Sequence, residues 1–261
     1  MSPARPALAP DLARGRRFLA AQPPHGRVLL CAVTGSHLYG FPSADSDLDL
    51  KGLHLAPTER LLGLQGVPET HDRLEVFEGL ECDLTTHEAR MALSLLLRGN
   101  GNMLERLLSP FQLVTGPEVD HLAALGRGAI SKRFYKHYAG FFVGMCREHE
   151  RLGTAKTMLY SLRVALTGLH LLGTGELVGD LSVLGPQYGW PEVAELIAFK
   201  REGVEKGLLD ARLDAHFRGL WPVVHDRLQA ARAASALPEE PPNVEACHRW
   251  LVEARLGDLS P

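Results

Sequence analysis

Hydrophobic residues follow strand patterns in the first part of the chain and recur at helical spacing in the rest. An apolar run of strand length lies at residues 28–33, and apolar residues are interleaved with polar ones at residues 74–77 and 80–85. The last two are separated only by Glu78-Gly79, which is typical of a hairpin. The pattern therefore predicts an α+β protein, in which a small mixed β-sheet packed with helices precedes an all-helical C-terminal region.

Helical spacing accounts for most of the remaining chain. Asn102 and Glu105 have the spacing of a capping box at the start of one helix. Strand patterns stop between Pro110 and Pro117, so we predict two domains, residues 1–112 and 113–261. The other helices are predicted at residues 11–21, 88–97, 132–151, 154–172, 191–205 and 208–234, with a last one capped by Asn243.

An acidic alternation follows the first apolar run. Asp47, Asp49 and Lys51 alternate with Leu48 and Leu50, so in a strand the three polar side chains share one face. Neighbouring carboxylates repel each other and favour a compensating cation. Mg²⁺ suits them, because it takes oxygen ligands from one or two carboxylates and from substrate phosphates. Taken alone, such a pair is more often a solvated strand face.

A Gly-Ser turn precedes the acidic strand. The apolar run 28–33 ends at Thr34, and Gly35-Ser36 then opens a short helix. The first backbone N–H groups of a helix attract an anion. Gly35 permits a close backbone approach and the Ser36 hydroxyl adds a donor. Without further context, Gly-Ser is an ordinary turn.

Together these two motifs carry a family resemblance. The chain resembles the DNA polymerase β-like nucleotidyltransferase superfamily, and in particular the branch of predicted nucleotidyltransferases sometimes encoded beside RNA ligases. The likeness is strong from residue 28 to residue 108 and weaker afterwards. Its motifs are Gly35-Ser36-x-x-Tyr39-Gly40 and Ser46-Asp47-x-Asp49-x-Lys51-Gly52.

The resemblance implies a catalytic core in residues 1–112 and assigns roles within it. It implies that Gly35 and Ser36 hold a nucleoside triphosphate. It also implies that Asp47, Asp49 and a third carboxylate hold two Mg²⁺ ions, for which Mn²⁺ is an alternative. Asp83, on the strand at 80–85, is the expected third ligand, and Glu81 competes with it on the same face.

One helix of the C-terminal region carries candidate phosphate ligands. Lys156, Tyr160 and Arg163 are spaced so that they share one helix face. Lysine and arginine bind phosphates, and the resemblance favours such a basic helix over the triphosphate. Lys51 is a further candidate for nucleotide binding. A solvated helix face is the structural alternative for these residues.

Composition narrows the class of protein only a little. The net charge of −3 does not favour general nucleic-acid binding. No apolar run reaches the length of a membrane span. The four cysteines lack C-x-x-C spacing, which favours free thiols in a reducing cytoplasm over zinc or disulfides. We therefore expect a cytoplasmic protein that does not contact a membrane.

The expected activity is metal-dependent transfer of a nucleoside monophosphate from an NTP to a hydroxyl group. The acceptor stays open among an RNA end, a small molecule and a protein side chain. RNA repair is attractive because of the family's association with RNA ligases. Two alternatives remain, namely a catalytically silent nucleotide- or RNA-binding module and an antitoxin-like enzyme that modifies a partner protein.

Overall fold

The computed structural model describes residues 9–64, 66–202 and 207–259. Within these ranges the protein is α+β, as predicted. One mixed β-sheet is formed by the first part of the chain, and helices precede, separate and follow its strands along the sequence. The strands are β1 (Arg27–Val33), β2 (Leu48–Leu55), β3 (Thr70–Phe77) and β4 (Leu80–Glu88). The helices are α1 (Leu12–Ala21), α2 (Gly35–Leu38), α3 (Thr58–Leu62), α4 (Ala89–Leu97), α5 (Gly101–Leu108), α6 (Pro117–Gly128), α7 (Phe134–Leu152), α8 (Ala155–Thr174), α9 (Leu181–Gln187), α10 (Val193–Glu202), α11 (Ala211–Ala234) and α12 (Val244–Asp258).

The sheet has the strand order β1-β2-β4-β3. β2 and β4 are parallel, whereas β1 with β2 and β3 with β4 are antiparallel. The predicted hairpin at Glu78-Gly79 is confirmed, and both residues have positive φ angles, 50° and 81°. This is the backbone conformation that a tight two-residue hairpin requires. The hairpin brings β4 back beside the acidic strand β2.

One face of the sheet packs against α1 through buried apolar side chains. Leu48 and Leu50 of β2 lie in this core, as their alternation with the acidic residues implies. The remaining buried members are Phe18, Leu19, Cys31, Val33, Cys82, Leu84 and Leu113. Because Leu48 and Leu50 point into this core, Asp49 and Lys51 are held on the other face of β2.

The described contacts divide the chain into two compact units. Of the described residues, the sheet unit contains 10–35, 47–64, 66–130 and 241–259, and the helical unit contains 9, 36–46, 131–202 and 207–240. The domain division at residues 112 and 113 stays a prediction, because a compact unit need not fold alone. The predicted helix at 191–205 is confirmed as α10, but residues 203–205 lie outside the described residues.

The helical unit has its core between α7, α8 and α11. The aromatics Phe134, Tyr138 and Phe142 of α7 are buried and belong to this core. Helix α8 is enclosed along most of its length. In the part of the chain that the structure describes, no helix has both the length and the apolar character of a membrane span.

Candidate functional site

The Gly-Ser turn and the acidic strand meet at Gly35 and Asp49. After β1 ends, the backbone N–H of Thr34 donates to the carbonyl of Asp49 at 2.9 Å. Gly35 has a φ angle of +61°, and a Cβ atom there would lie only 1.7 Å from Asp49 Oδ2. A side chain at residue 35 would therefore displace the carboxylate. The glycine is required both by its conformation and by this close approach.

A second aspartate lies beside the first on the neighbouring strand. Asp49 of β2 and Asp83 of β4 are register partners in the parallel pair. Adjacent strands are about 4.8 Å apart, so both carboxylates stand on the same face at close range. Asp47 lies one residue before β2 and is half-buried. The prediction of Asp83 as the third acidic ligand gains a geometric basis from this register.

Glu81, the competing candidate for the third ligand, is exposed. It pairs with Val76 of the edge strand β3. Its alternation with Asp83 puts both on one face of β4, as the sequence predicted. Only Asp83, however, is the register partner of Asp49. The choice between the two residues stays a prediction, with the register favouring Asp83.

Lys51 completes this polar face. Its ammonium donates to Asp83 Oδ2 at 2.7 Å and to the Thr85 hydroxyl at 3.1 Å. The Lys51 side chain is 18% exposed and that of Asp83 is 40% exposed. Lys51 was expected to contact the nucleotide, and in this structure its charge is directed at a carboxylate. The sequence placed Lys51 on the correct face but could not reveal its partner, which depends on the pairing of β2 with β4.

The chemistry of these residues fits a hard divalent cation. Carboxylate oxygens are the preferred ligands of Mg²⁺, and adjacent strands supply Asp49 and Asp83 in register. Over the described ranges, no group of three or more His, Cys, Asp or Glu side chains is gathered closely enough to hold a metal ion. Two carboxylates, those of Asp49 and Asp83, therefore lie on one face, and that of Asp83 is bound to the Lys51 ammonium.

The second half of the glycine motif is fixed within the helical unit. The Arg163 guanidinium lies 3.6 Å from the centre of the Tyr39 ring, and Arg163 is only 1% exposed. Gly40 has a φ angle of +80°, and a Cβ atom there would lie 1.8 Å from an oxygen of Asp180. The carbonyl of Tyr39 accepts from the backbone N–H of Leu181. Tyr39 and Gly40 are therefore constrained by α8 and by the start of α9.

Of the three candidate phosphate ligands on α8, Arg163 and Tyr160 have well-defined packing roles. The Tyr160 ring meets those of Tyr39 and Phe41 edge to face, with centroid separations of 5.6 and 5.5 Å. Lys156 is half-buried one turn nearer the start of the helix. Arg163 and Tyr160 thus hold the motif residue Tyr39 by cation–π and aromatic contacts. Their binding of a nucleotide stays a prediction.

Two cationic residues that sequence reasoning missed hold the loop after Gly40. Buried Lys200 donates to the carbonyl of Phe41 at 3.1 Å. Arg201 donates to the carbonyls of Gly40 and Pro42, at 3.1 and 3.3 Å. These hydrogen bonds fix the backbone of residues 40–42, directly after the glycine motif. The sequence carried no sign of this, because a lysine near the end of a helix usually faces solvent.

This combination of fold and site defines a class. A mixed sheet in which a glycine turn packs on a strand aspartate, with a second aspartate in register, is the arrangement expected of a DNA polymerase β-like nucleotidyltransferase core. The sequence model of RlaP, the RNA repair pathway DNA polymerase beta family, matches residues 15–253. The chain belongs to that family, and its membership supports a role of the nucleotidyltransferase type.

Two further proteins are similar to this chain. The uncharacterized protein MJ0002 of Methanocaldococcus jannaschii is 30% identical over 158 residues, which are 59% of this chain and 64% of that protein. The match therefore spans somewhat less than two thirds of that relative. A crystal structure of a nucleotidyltransferase-like protein from Exiguobacterium sibiricum 255-15 is 14% identical, with a TM-score of 0.33 over 96% of this chain and 81% of that one. The family assignment rests on the RlaP match alone.

Proposed function

We propose that this protein is a metal-dependent nucleotidyltransferase that moves a nucleoside monophosphate from an NTP to a hydroxyl group, with an RNA end as acceptor. One observation carries the proposal. The Asp49 carboxylate packs directly on the Gly35 turn and is in register with Asp83. The turn to which we assign phosphate binding therefore lies beside the two carboxylates to which we assign metal binding. The family's description as an RNA repair pathway family supports the choice of acceptor.

Each residue of the sheet face has a proposed task. Asp47, Asp49 and Asp83 hold Mg²⁺, or Mn²⁺, through their carboxylate oxygens. The ions, when bound, would lower the pKa of the acceptor hydroxyl and neutralise the charge that develops on the leaving pyrophosphate. The backbone N–H of Gly35 and the hydroxyl of Ser36 hold the phosphates. Fixing the reactants in line accounts for the remaining acceleration.

The helical unit supplies further proposed nucleotide ligands. We assign Lys156 as a phosphate ligand, and Tyr160 and Arg163 as residues that hold Tyr39 and assist binding of the nucleotide. We expect Lys156→Met to raise KM for the NTP and to leave kcat nearly unchanged. The lost interaction would stabilise the bound substrate and the transition state equally. An unchanged KM removes Lys156 from the site.

The test of the proposed activity is transfer of label from each of the four α-labelled NTPs to a pool of RNA ends, with Mg²⁺ or Mn²⁺. We expect transfer by the natural protein and a loss of at least about 10²-fold in Asp49→Asn, since charge stabilisation of the transition state is removed. Asp45→Asn is the matched control, because Asp45 is exposed and precedes the acidic strand. Wild-type transfer by a folded Asp49→Asn protein contradicts the proposal.

The same assay separates the alternatives for the acceptor and for turnover. Release of pyrophosphate without labelled RNA points to another hydroxyl acceptor, and a labelled protein band in a cell extract identifies a partner protein as that acceptor. Tight NTP binding with neither transfer nor pyrophosphate release, across all nucleotides and both metals, identifies a silent binding module and overturns the enzymatic proposal.

A further inference from the structure

The position of Lys51 is unusual for a residue that is expected to bind phosphate. Its ammonium lies 2.7 Å from Asp83 Oδ2, 3.4 Å from the Asp83 carbonyl and 3.1 Å from the Thr85 hydroxyl. The strand register explains these contacts, because Lys51 pairs with Thr85 two residues after Asp49 pairs with Asp83. Lys51, Asp49 and Asp83 are thus neighbours on a single face of two parallel strands.

We propose that Lys51 is a positioning residue that holds Asp83 as an internal cation and competes with the divalent ion for the same carboxylate oxygen. The inference rests on the proposed function, because it takes Asp83 to be a metal ligand. Two cations cannot share Oδ2 at contact distance without strong mutual repulsion. Binding of a divalent ion to Oδ2 of Asp83 therefore requires the Lys51 ammonium to leave that oxygen.

The Lys51 ammonium would stabilise the neighbouring carboxylates when no divalent ion is bound. Aspartates aligned on one strand face repel each other, and an adjacent ammonium offsets that repulsion whenever no divalent ion is bound. The lysine charge lies on a flexible four-carbon stem, so it can move to another anion when it is displaced. The phosphates of the incoming nucleotide are such an anion. Release of Lys51 would then couple metal binding to nucleotide binding.

Direct titration of Mn²⁺ without nucleotide tests the inference. The amount of free Mn²⁺, followed by its electron paramagnetic resonance signal, gives the affinity of each variant. We expect Lys51→Met to bind Mn²⁺ more tightly than the natural protein, by about two- to fivefold, which is the size expected when a partly exposed ion pair no longer competes. Lys51→Arg keeps the charge, and its affinity should stay close to that of the natural protein.

Lys132→Met is the matched control for net charge. Lys132 is 17% exposed and its ammonium lies 2.9 Å from a carboxylate oxygen of Glu239, so it resembles Lys51 in burial and pairing. The helical unit contains this pair. We expect Mn²⁺ affinity to be unaffected by its removal. An equal gain in Lys132→Met and Lys51→Met would show a general charge effect and would overturn the inference.

The outcomes distinguish this inference from the proposed function. If the natural protein binds Mn²⁺ in a manner that Asp49→Asn abolishes, but Lys51→Met binds it equally or more weakly, the inference is wrong and the metal site stands. If neither the natural protein nor Lys51→Met binds Mn²⁺, both the inference and the metal site are wrong. Tighter binding by Lys51→Met supports both.

A measurement on the natural protein guards against a variant that fails to fold. Acetic anhydride modifies lysines in proportion to their exposure and free amine, and peptide mass spectrometry reports each position. Since displacement frees the ammonium, Mn²⁺ should increase modification of Lys51 several-fold and leave Lys132 unchanged. No increase at Lys51, under conditions in which Mn²⁺ is bound, would overturn the inference.

Discussion

At the scale of single residues, the two glycines of the motif are required because a carboxylate lies against each of them. Gly35 leaves room for Asp49, and Gly40 leaves room for Asp180. In both cases an added Cβ atom would lie less than 2 Å from a carboxylate oxygen. The sequence could predict that Gly35 permits a close approach. It could not predict that the approaching group is the metal-binding candidate itself, since that contact joins separate segments.

We predict that Gly35→Ala abolishes Mn²⁺ binding and nucleotide transfer, because its Cβ atom forces the Asp49 carboxylate away. Gly79→Ala is the matched control. Gly79 also has a positive φ angle, +81°, but an added Cβ there meets nothing within 4 Å. The control therefore shows the backbone strain alone, which is about 1 kcal/mol. The two variants are compared by Mn²⁺ titration, labelled transfer and thermal unfolding.

Two results would contradict the interpretation of Gly35. One is a Gly35→Ala protein that keeps its Mn²⁺ affinity and its transfer activity. The other is an equal loss of both properties in Gly79→Ala, which would show that backbone strain and not displacement of Asp49 is responsible.

Among single residues, those predicted from alternation lie on the expected face, and those that depend on long-range contacts were missed. Asp49 and Asp83 follow from the period of a strand. The ion pair of Lys51 with Asp83 and the burial of Lys200 join positions far apart in the sequence. A pattern within one segment carries no information about such partners.

At the scale of elements, a buried ion pair within the sheet unit attaches helix α12 to the end of β4. The Arg255 guanidinium donates to the Glu88 carboxylate and, at 2.8 Å, to the carbonyl of Ala56. Glu88 is 3% exposed and also caps α4 by accepting from the backbone N–H of Arg90. A chain segment near residue 255 is thereby connected to the end of β4.

We predict that Arg255→Met lowers the free energy of unfolding by about 3–5 kcal/mol, because it leaves the Glu88 carboxylate buried without its counter-charge. Adding Glu88→Gln should recover much of the loss, since glutamine is uncharged and still caps α4. Arg151→Met is the control: Arg151 and Glu148 form an exposed pair, for which we expect less than about 1 kcal/mol. Urea denaturation measures all of these variants. A small effect of Arg255→Met, or no recovery in the double variant, would contradict this assignment.

The elements themselves were largely predictable, and their ends less so. Helix α8, predicted at residues 154–172, is capped by Thr154 and continues to Thr174, with Gly175 as its C-cap. The capping box at Asn102 was wrong. Asn100 caps α5 instead, by accepting from the backbone N–H of Met103, and Asn102 is exposed. Both asparagines can cap a helix, and only the path of the chain after α4 decides between them.

At the scale of the whole molecule, several histidines of the sheet are held in their neutral form. Burial lowers the pKa of His54 and of His71, and it lowers the pKa of His87 from 6.5 to about 4. The unfolded chain protonates these residues below about pH 6.5, and the folded chain does not. The unfolded state therefore binds more protons, and stability falls as the pH falls from 6.5 towards 4.

We predict a melting temperature several degrees lower at pH 5 than at pH 7.5, as measured by circular dichroism. His87→Gln should reduce this difference, because it removes a histidine whose pKa is lowered by burial to about 4. His121→Gln, which replaces an exposed histidine, serves as the control and should leave the difference unchanged. A melting temperature that is constant or higher at pH 5 would contradict the assignment of neutral histidines.

Fold class and family could both be obtained from the sequence, for one physical reason. The strand period, the glycine turn and the acidic pair are local features, and together they define the family that the chain belongs to. The arrangement of two compact units is not local. Residues 36–46 belong to the helical unit although the strands on either side of them belong to the sheet unit. A boundary drawn along the sequence cannot express such an interleaving.

The proposed function requires that the Gly35 turn and the acidic face of β2 and β4 bind one triphosphate. A crystal structure with Mn²⁺ and a non-hydrolysable NTP, in which anomalous scattering locates the metal, tests this requirement. We expect Mn²⁺ bound to oxygens of Asp49 and Asp83, with the nucleotide phosphates at the Gly35 backbone N–H. A nucleotide bound elsewhere, or Mn²⁺ that contacts neither aspartate, would contradict it.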